Sequence, residues 1–125
     1  MKIRIKGNTI RYRLSQSEVK FFSANAHLEE KTDFGNTQFS YALEQTKNAK
    51  ALTASFRDGR ISLYVPEEEA IKWTQTNLVG LSAEMNIGNG KTLFLLLEKD
   101  FKCLDETHED QSDNFPNPLA EKHGK

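Results

Sequence analysis

Cys103, His108, Glu109, Asp110 and Asp113 fall within eleven consecutive residues, CLDETHEDQSD, beside Asp105 and Glu106. A thiol, an imidazole and carboxylates are the donor types that hold a transition metal, provided that they converge on one point. Cys103, His108, Asp110 and Asp113 are therefore the candidate metal ligands. Their spacing matches no closed zinc pattern, because there is no CxxC and no second histidine nearby. It is not a calcium loop either, lacking the alternating D-x-D-x-D-G and the terminal glutamate. Cys103 alternates with Phe101 as if a preceding strand carried on, and a free cysteine is more often a small core residue than a ligand. The segment ends in NFPNP, where two prolines stiffen the chain around Phe115. An acidic strap pinned by Phe115 is the favoured reading of 103–118, with a metal site as its rival.

The second constellation is cationic. Lys2, Arg4, Lys6, Arg11 and Arg13 lie in the first seventeen residues with no acid among them, whereas 103–121 holds acids and no lysine or arginine. KIRIKGNTIRYRL alternates around Gly7-Asn8, which predicts a hairpin with Ile3, Ile5, Ile10, Tyr12 and Leu14 on one face. All five cations then share the other face, where they can bind a phosphorylated ligand. Single-stranded nucleic acid is not expected, since Tyr12 sits on the apolar face and no aromatic is left for stacking. The competing reading is a solvated, edge-protecting charge row. The opposite charges of the chain ends further suggest that 105–113 folds back over the basic hairpin.

The elements that must position these residues recur. SQSEVKFFSANA opens with the capping box Ser15/Glu18 and carries Val19, Phe22 and Ala26 at helical spacing. HLEEKTDF and TQFSYALE follow as strands. ALTASF and RISLYV then flank Asp58-Gly59, a strong hairpin signal. PEEEAIKWTQT predicts a second helix with Pro66 in its first turn, and VGLSAEM and KTLFLLLEKD predict a last hairpin across NIGNG. Ile10, Tyr12 and Leu14 match Ile61, Leu63 and Val65 at an offset of 51; Glu18 matches Glu69, and Phe22 matches Trp73. Phe39, Tyr41 and Leu43 match Leu93, Leu95 and Leu97 at an offset of 54. The expected fold is α+β: a tandem duplication of a ββαββ unit, with antiparallel sheets of about eight strands and two short helices. A single domain is expected over 1–102, with halves of roughly 1–47 and 48–102, followed by an acidic extended segment, 103–125. TLFLLLE, apolar on both faces, is expected to be a central strand covered on both sides.

The whole chain has 125 residues and a net charge of −1, so no bulk attraction to nucleic acid or anionic membrane is expected. One cysteine excludes an internal disulfide and suits a reducing compartment. No apolar run is long enough to span a membrane, and MKIRIKGN lacks the apolar core of a secretory leader. A cytoplasmic location is the resulting expectation. No GxSxG, GxGxxG, Walker A or HExxH motif occurs.

The opening MKIRIKGNTIRYRLSQSEV and closing LEKDFKCLDETHEDQSDNFPNP resemble a family of small bacterial proteins of unknown function, marked by an EKDF-C-L…ED…D-FPNP ending. That resemblance covers nearly the whole chain and implies a stand-alone bacterial domain without an assigned activity. The duplicated halves are also similar in architecture to the triphosphate tunnel enzymes. Those carry ExExK near the start, where this chain has KIRIK, and LEEK falls out of register. The reading is a binding or accessory module that needs no cofactor and takes a small anionic ligand or a protein partner. The alternative is a metal-assisted or phosphate-directed hydrolase using the basic face and the acidic segment.

Overall fold

The structure, a computed structural model, describes residues 1–101. Cys103, His108, Asp110, Asp113 and Phe115 lie outside the described residues. Eight strands and two helices follow one another as β1 (Lys2–Lys6), β2 (Thr9–Leu14), α1 (Gln16–Asn25), β3 (His27–Asp33), β4 (Gln38–Thr46), β5 (Thr53–Arg57), β6 (Arg60–Pro66), α2 (Glu67–Gln75), β7 (Gly80–Gly88) and β8 (Lys91–Lys99). The α+β class is as expected. The strands form two four-stranded sheets, ordered β1-β2-β8-β7 and β3-β4-β6-β5.

The sheets are mixed rather than wholly antiparallel. Each hairpin is antiparallel, but β2 pairs with β8 and β4 with β6 in parallel. Each sheet thus joins an opening hairpin of one half to the closing hairpin of the other. Alternation within a strand reveals its faces but not its neighbour, so these junctions could not be read from the sequence. Their registers correspond: Tyr12 lies opposite Leu97 and Ile10 opposite Leu95, while the counterparts Leu63 and Ile61 lie opposite Leu43 and Tyr41.

Tyr12, Leu14, Leu95 and Leu97 from one sheet, and Leu43, Leu63 and Val65 from the other, are buried in one apolar cluster with Phe22 and Trp73 from the helices. The Tyr12 hydroxyl satisfies itself there by donating to the Ile61 carbonyl at 3.2 Å, as a buried hydroxyl must. One seam between the sheets is marked by Ala54 N–H at 3.3 Å from Met85 Sδ, the other by Tyr41 Oη donating to the Met1 carbonyl at 2.6 Å.

The capping box forms as expected at the start of α1, with Ser15 N–H donating to Glu18 Oε1 at 2.8 Å. Ala26 is not part of the helix's apolar stripe: it is the C-cap, left-handed at φ 60°, and exposed. Pro66 ends β6 and serves as the N-cap of α2 without a side-chain bond. The second oxygen of Glu18 pairs with the Met1 α-amino group, which also donates to Glu30 Oε2 at 3.0 Å.

Asp58 and Gly59 both take positive φ, 51° and 73°, as a two-residue type I′ turn requires. A Cβ at Gly59 would sit 2.9 Å from the Gln38 carbonyl, and Gly59 O accepts from Ser40 N–H at 2.9 Å. This glycine lets the β5–β6 hairpin lie against β4. Gly59→Ala is expected to cost about 1–2 kcal/mol, combining the left-handed penalty with the backbone clash. Chemical denaturation of the variant measures it.

Candidate functional site: two polar sheet faces

Residues at even positions of β1 and odd positions of β2 point away from the core, so Lys2, Arg4, Lys6, Arg11 and Arg13 share one outward face, as alternation predicted. Register sets Lys2 directly opposite Arg13 and Arg4 directly opposite Arg11. Like charges facing each other across strands are destabilising. The compensation comes from the end of β8: Glu98 Oε1 lies 3.4 Å from Arg11 Nε and 3.6 Å from Arg13 Nε, and Lys2 Nζ donates to Asp100 at 2.9 Å. Among the described residues, Arg4 and Lys6 have no carboxylate partner. With Thr9 and Arg11 they line a shallow hollow of about 210 Å³, and a second of about 290 Å³ lies beside Lys2 and Arg13.

β8 is central in its sheet, as its composition suggested, but its outward side is not covered by the described residues. Phe94 is 37% exposed, and it continues the row that begins with Lys6 and Thr9, since Thr9 lies opposite Phe94. Leu96 stands likewise beside Arg11. The basic face therefore adjoins an aromatic and an aliphatic side chain, a combination hidden from the sequence by the parallel β2–β8 junction.

The corresponding face of the other sheet was not anticipated. Outward positions there carry Ser40, Ala42 and Glu44 on β4, Arg60, Ser62 and Tyr64 on β6, Ser55 and Arg57 on β5, and His27 and Glu29 on β3. Small residues at the centre leave a hollow of about 580 Å³. Arg60 Nη2 donates to Glu44 Oε2 at 3.2 Å and lies 3.7 Å from Glu29, while His27 lies 3.6 Å from Glu29 and 3.9 Å from Glu44. Tyr64 Oη and Ser55 Oγ are hydrogen-bonded at 3.1 Å. The clue in the sequence was positional: Ser55, Arg57, Ser62 and Tyr64 stand 51 residues after Arg4, Lys6, Arg11 and Arg13.

Among the described residues, no three histidine, cysteine or acidic side chains come together in a metal-holding group. The four candidate metal ligands are outside those residues. No helix among them is long and apolar enough to cross a membrane. His27 opens β3 half-buried on the polar face, and Trp73 is in the core, as its match to Phe22 suggested.

Architecture and faces together define a two-sheet α+β protein that buries one side of each sheet and presents the other as a polar surface. The chain belongs to a family of unknown function (DUF7009), whose model matches residues 1–119. No curated protein and no solved structure matches the chain.

Proposed function

We propose that the protein is a binding or accessory module whose cationic face, Lys2, Arg4, Lys6, Arg11 and Arg13, takes a small phosphorylated ligand. The observation that carries this is the Arg4–Arg11 pair. Two guanidiniums directly opposite each other cost stability, and the fold does not demand them: at the counterpart positions Ser55 and Ser62 face each other in the same register. An oxyanion between Arg4 and Arg11 turns that repulsion into two charge-assisted contacts. The matching registers of the parallel junctions also support a tandem duplication within one domain over 1–102, of which the basic face would be a specialisation of the first half. We further infer a cytoplasmic bacterial setting, in keeping with the single cysteine.

The test is thermal denaturation at low ionic strength with pyrophosphate, tripolyphosphate or nucleoside triphosphates. At a hundredfold excess over Kd a ligand stabilises by about 2.7 kcal/mol, so a rise of several degrees is expected. The rise should shrink with added salt and disappear in an Arg4→Ala/Arg11→Ala variant that remains folded. No rise with any polyanion would refute the reading. The hydrolase alternative relies on Cys103, His108, Asp110 and Asp113. It predicts release of inorganic phosphate from the bound compound on addition of Mg²⁺ or Mn²⁺, against binding without turnover for a module.

A further inference from the structure

We propose that the hollow on the β3-β4-β6-β5 face is a second, separate binding site, for a sugar-sized hydroxylated ligand that carries one anionic group. Its floor is made by residues too small to fill it. Ser62 is 5% exposed and Ser40 9%, although both point away from the core and line the hollow. Long polar side chains rise around them: Arg57 and Arg60 at the turn end, Glu44 and Tyr64 at the other. The two arginines are direct cross-strand partners, and Arg57 has no carboxylate partner among the described residues. Arg60 leans across β4 to Glu44 and Glu29, which leaves Arg57 as the cation to meet an oxyanion entering the hollow.

Arg60 shows that this end is not internally complete. Its Nη2 is engaged by Glu44, but its Nε is buried and has no hydrogen-bond partner. An orphaned buried donor carries a free-energy cost. A turn of the guanidinium toward a bound carboxylate or phosphate would remove that cost. Beside the arginines the lining offers hydroxyls, and Glu44 is the carboxylate that Arg60 holds. Tyr64 is held by Ser55 at 3.1 Å, and Glu44 is held between Arg60 and His27. Both present fixed donors and acceptors of the kind that read hydroxyl groups on a ring. The lining is polar almost throughout, whereas sites for apolar ligands are lined mainly by hydrophobic side chains. Net charge decides against a polyanion: in the lining Glu44 and Asp58 balance Arg57 and Arg60, so the site offers one anion pocket rather than a broad positive field.

This inference is independent of the reading of the basic face, which lies on the other sheet. The experiment is titration of ¹⁵N-labelled full-length protein with glucuronate, glucose 6-phosphate, glucose and inorganic phosphate, followed by amide shifts. The first two compounds distinguish a carboxylate from a phosphate head, and the last two supply each half alone. Saturable shifts at Ser55, Ser62 and Tyr64 with at least one hydroxylated anion are expected. Arg57→Ala should weaken binding at least tenfold, and Arg4→Ala/Arg11→Ala should leave it unchanged. Three results would overturn the proposal. One is no saturation by about 10 mM, short of even the few kcal/mol that a millimolar Kd represents. Another is equal saturable shifts at those three amides with glucose or phosphate alone, and the third is loss of those shifts in the basic-face variant.

Discussion

Trp73→Ala is expected to lower the stability by about 3–5 kcal/mol, the usual cost of emptying an aromatic from a closed core. Trp73 is fully buried where α2 meets both sheets. It contributes more than volume. Its Nε1 donates to the Val79 carbonyl at 3.0 Å, which ties the helix to the connection leading into β7. Lys99 Nζ lies 5.9 Å from the ring centroid and donates to the Thr76 carbonyl at 2.7 Å, so the ring also supports the end of β8. Trp73→Phe separates these contributions. It keeps most of the apolar contact and removes one of the two donors to Val79 O, which Lys99 N–H still reaches at 3.0 Å, and should cost about 0.5–1.5 kcal/mol. Because Trp73 is the only tryptophan, the unfolding curves must be followed by far-ultraviolet circular dichroism rather than fluorescence. A midpoint for Trp73→Ala within error of the parent would mean that this part of the core is not closed as described.

Trp73 also shows why much of the fold could be read from the sequence. Its match to Phe22, and that of Leu63 to Tyr12, follow from strand and helix periodicities that repeat over each half. All four hairpins and both helices are local features, each announced by turn residues or a cap within a few positions. The parallel junctions β2–β8 and β4–β6 join residues far apart in the chain, and no local signal specifies them. That gap hid the candidate surfaces more than the fold. The five cations of the first hairpin could be placed on one face, because a two-strand alternation suffices. Their neighbours Glu98, Leu96 and Phe94 come from the far end of the described chain. The second hollow was missed for the same reason: Ser40, Ala42 and Glu44 meet Arg60, Ser62 and Tyr64 only through the β4–β6 junction. Glu18 was read correctly as a helix cap, yet its second role, as partner of the chain's own amino terminus, depends on where β1 begins in space.

That second role leads to the other large effect. Acetylation of the Met1 amine, or fusion of a tag to it, is expected to destabilise the protein by about 1–3 kcal/mol. This lies between the 3–5 kcal/mol for orphaning one partner of a fully buried pair and the near-zero value of an exposed one. The Met1 side chain is fully buried, while Glu18 and Glu30 remain 27% and 42% exposed. Burial by itself would lower the pKa of the amine, but hydrogen bonds and charge from Glu18 and Glu30 outweigh it and hold the pKa above its usual 8.0. Burial would likewise raise that of Glu18, yet the amine and the Ser15 backbone N–H together bring it below 4.5. The signs then define a window. A raised amine pKa gives stabilisation that is complete below about pH 8 and fades as pH climbs through the folded value. A lowered carboxyl pKa gives stabilisation that is complete above about pH 4.5 and fades as pH falls through the folded value. Stability should therefore be level between these limits and decline on both sides. Blocking the amine should lower the plateau and flatten the alkaline decline. Glu18→Gln should lower it too, with the loss concentrated on the acid side because the Ser15 cap is weakened as well. Urea denaturation of the free and acetylated forms at pH 6 and pH 9.5 decides the matter. An equal difference between the two forms at both pH values would show that the acetyl group acts by bulk alone and that the amine's charge contributes nothing.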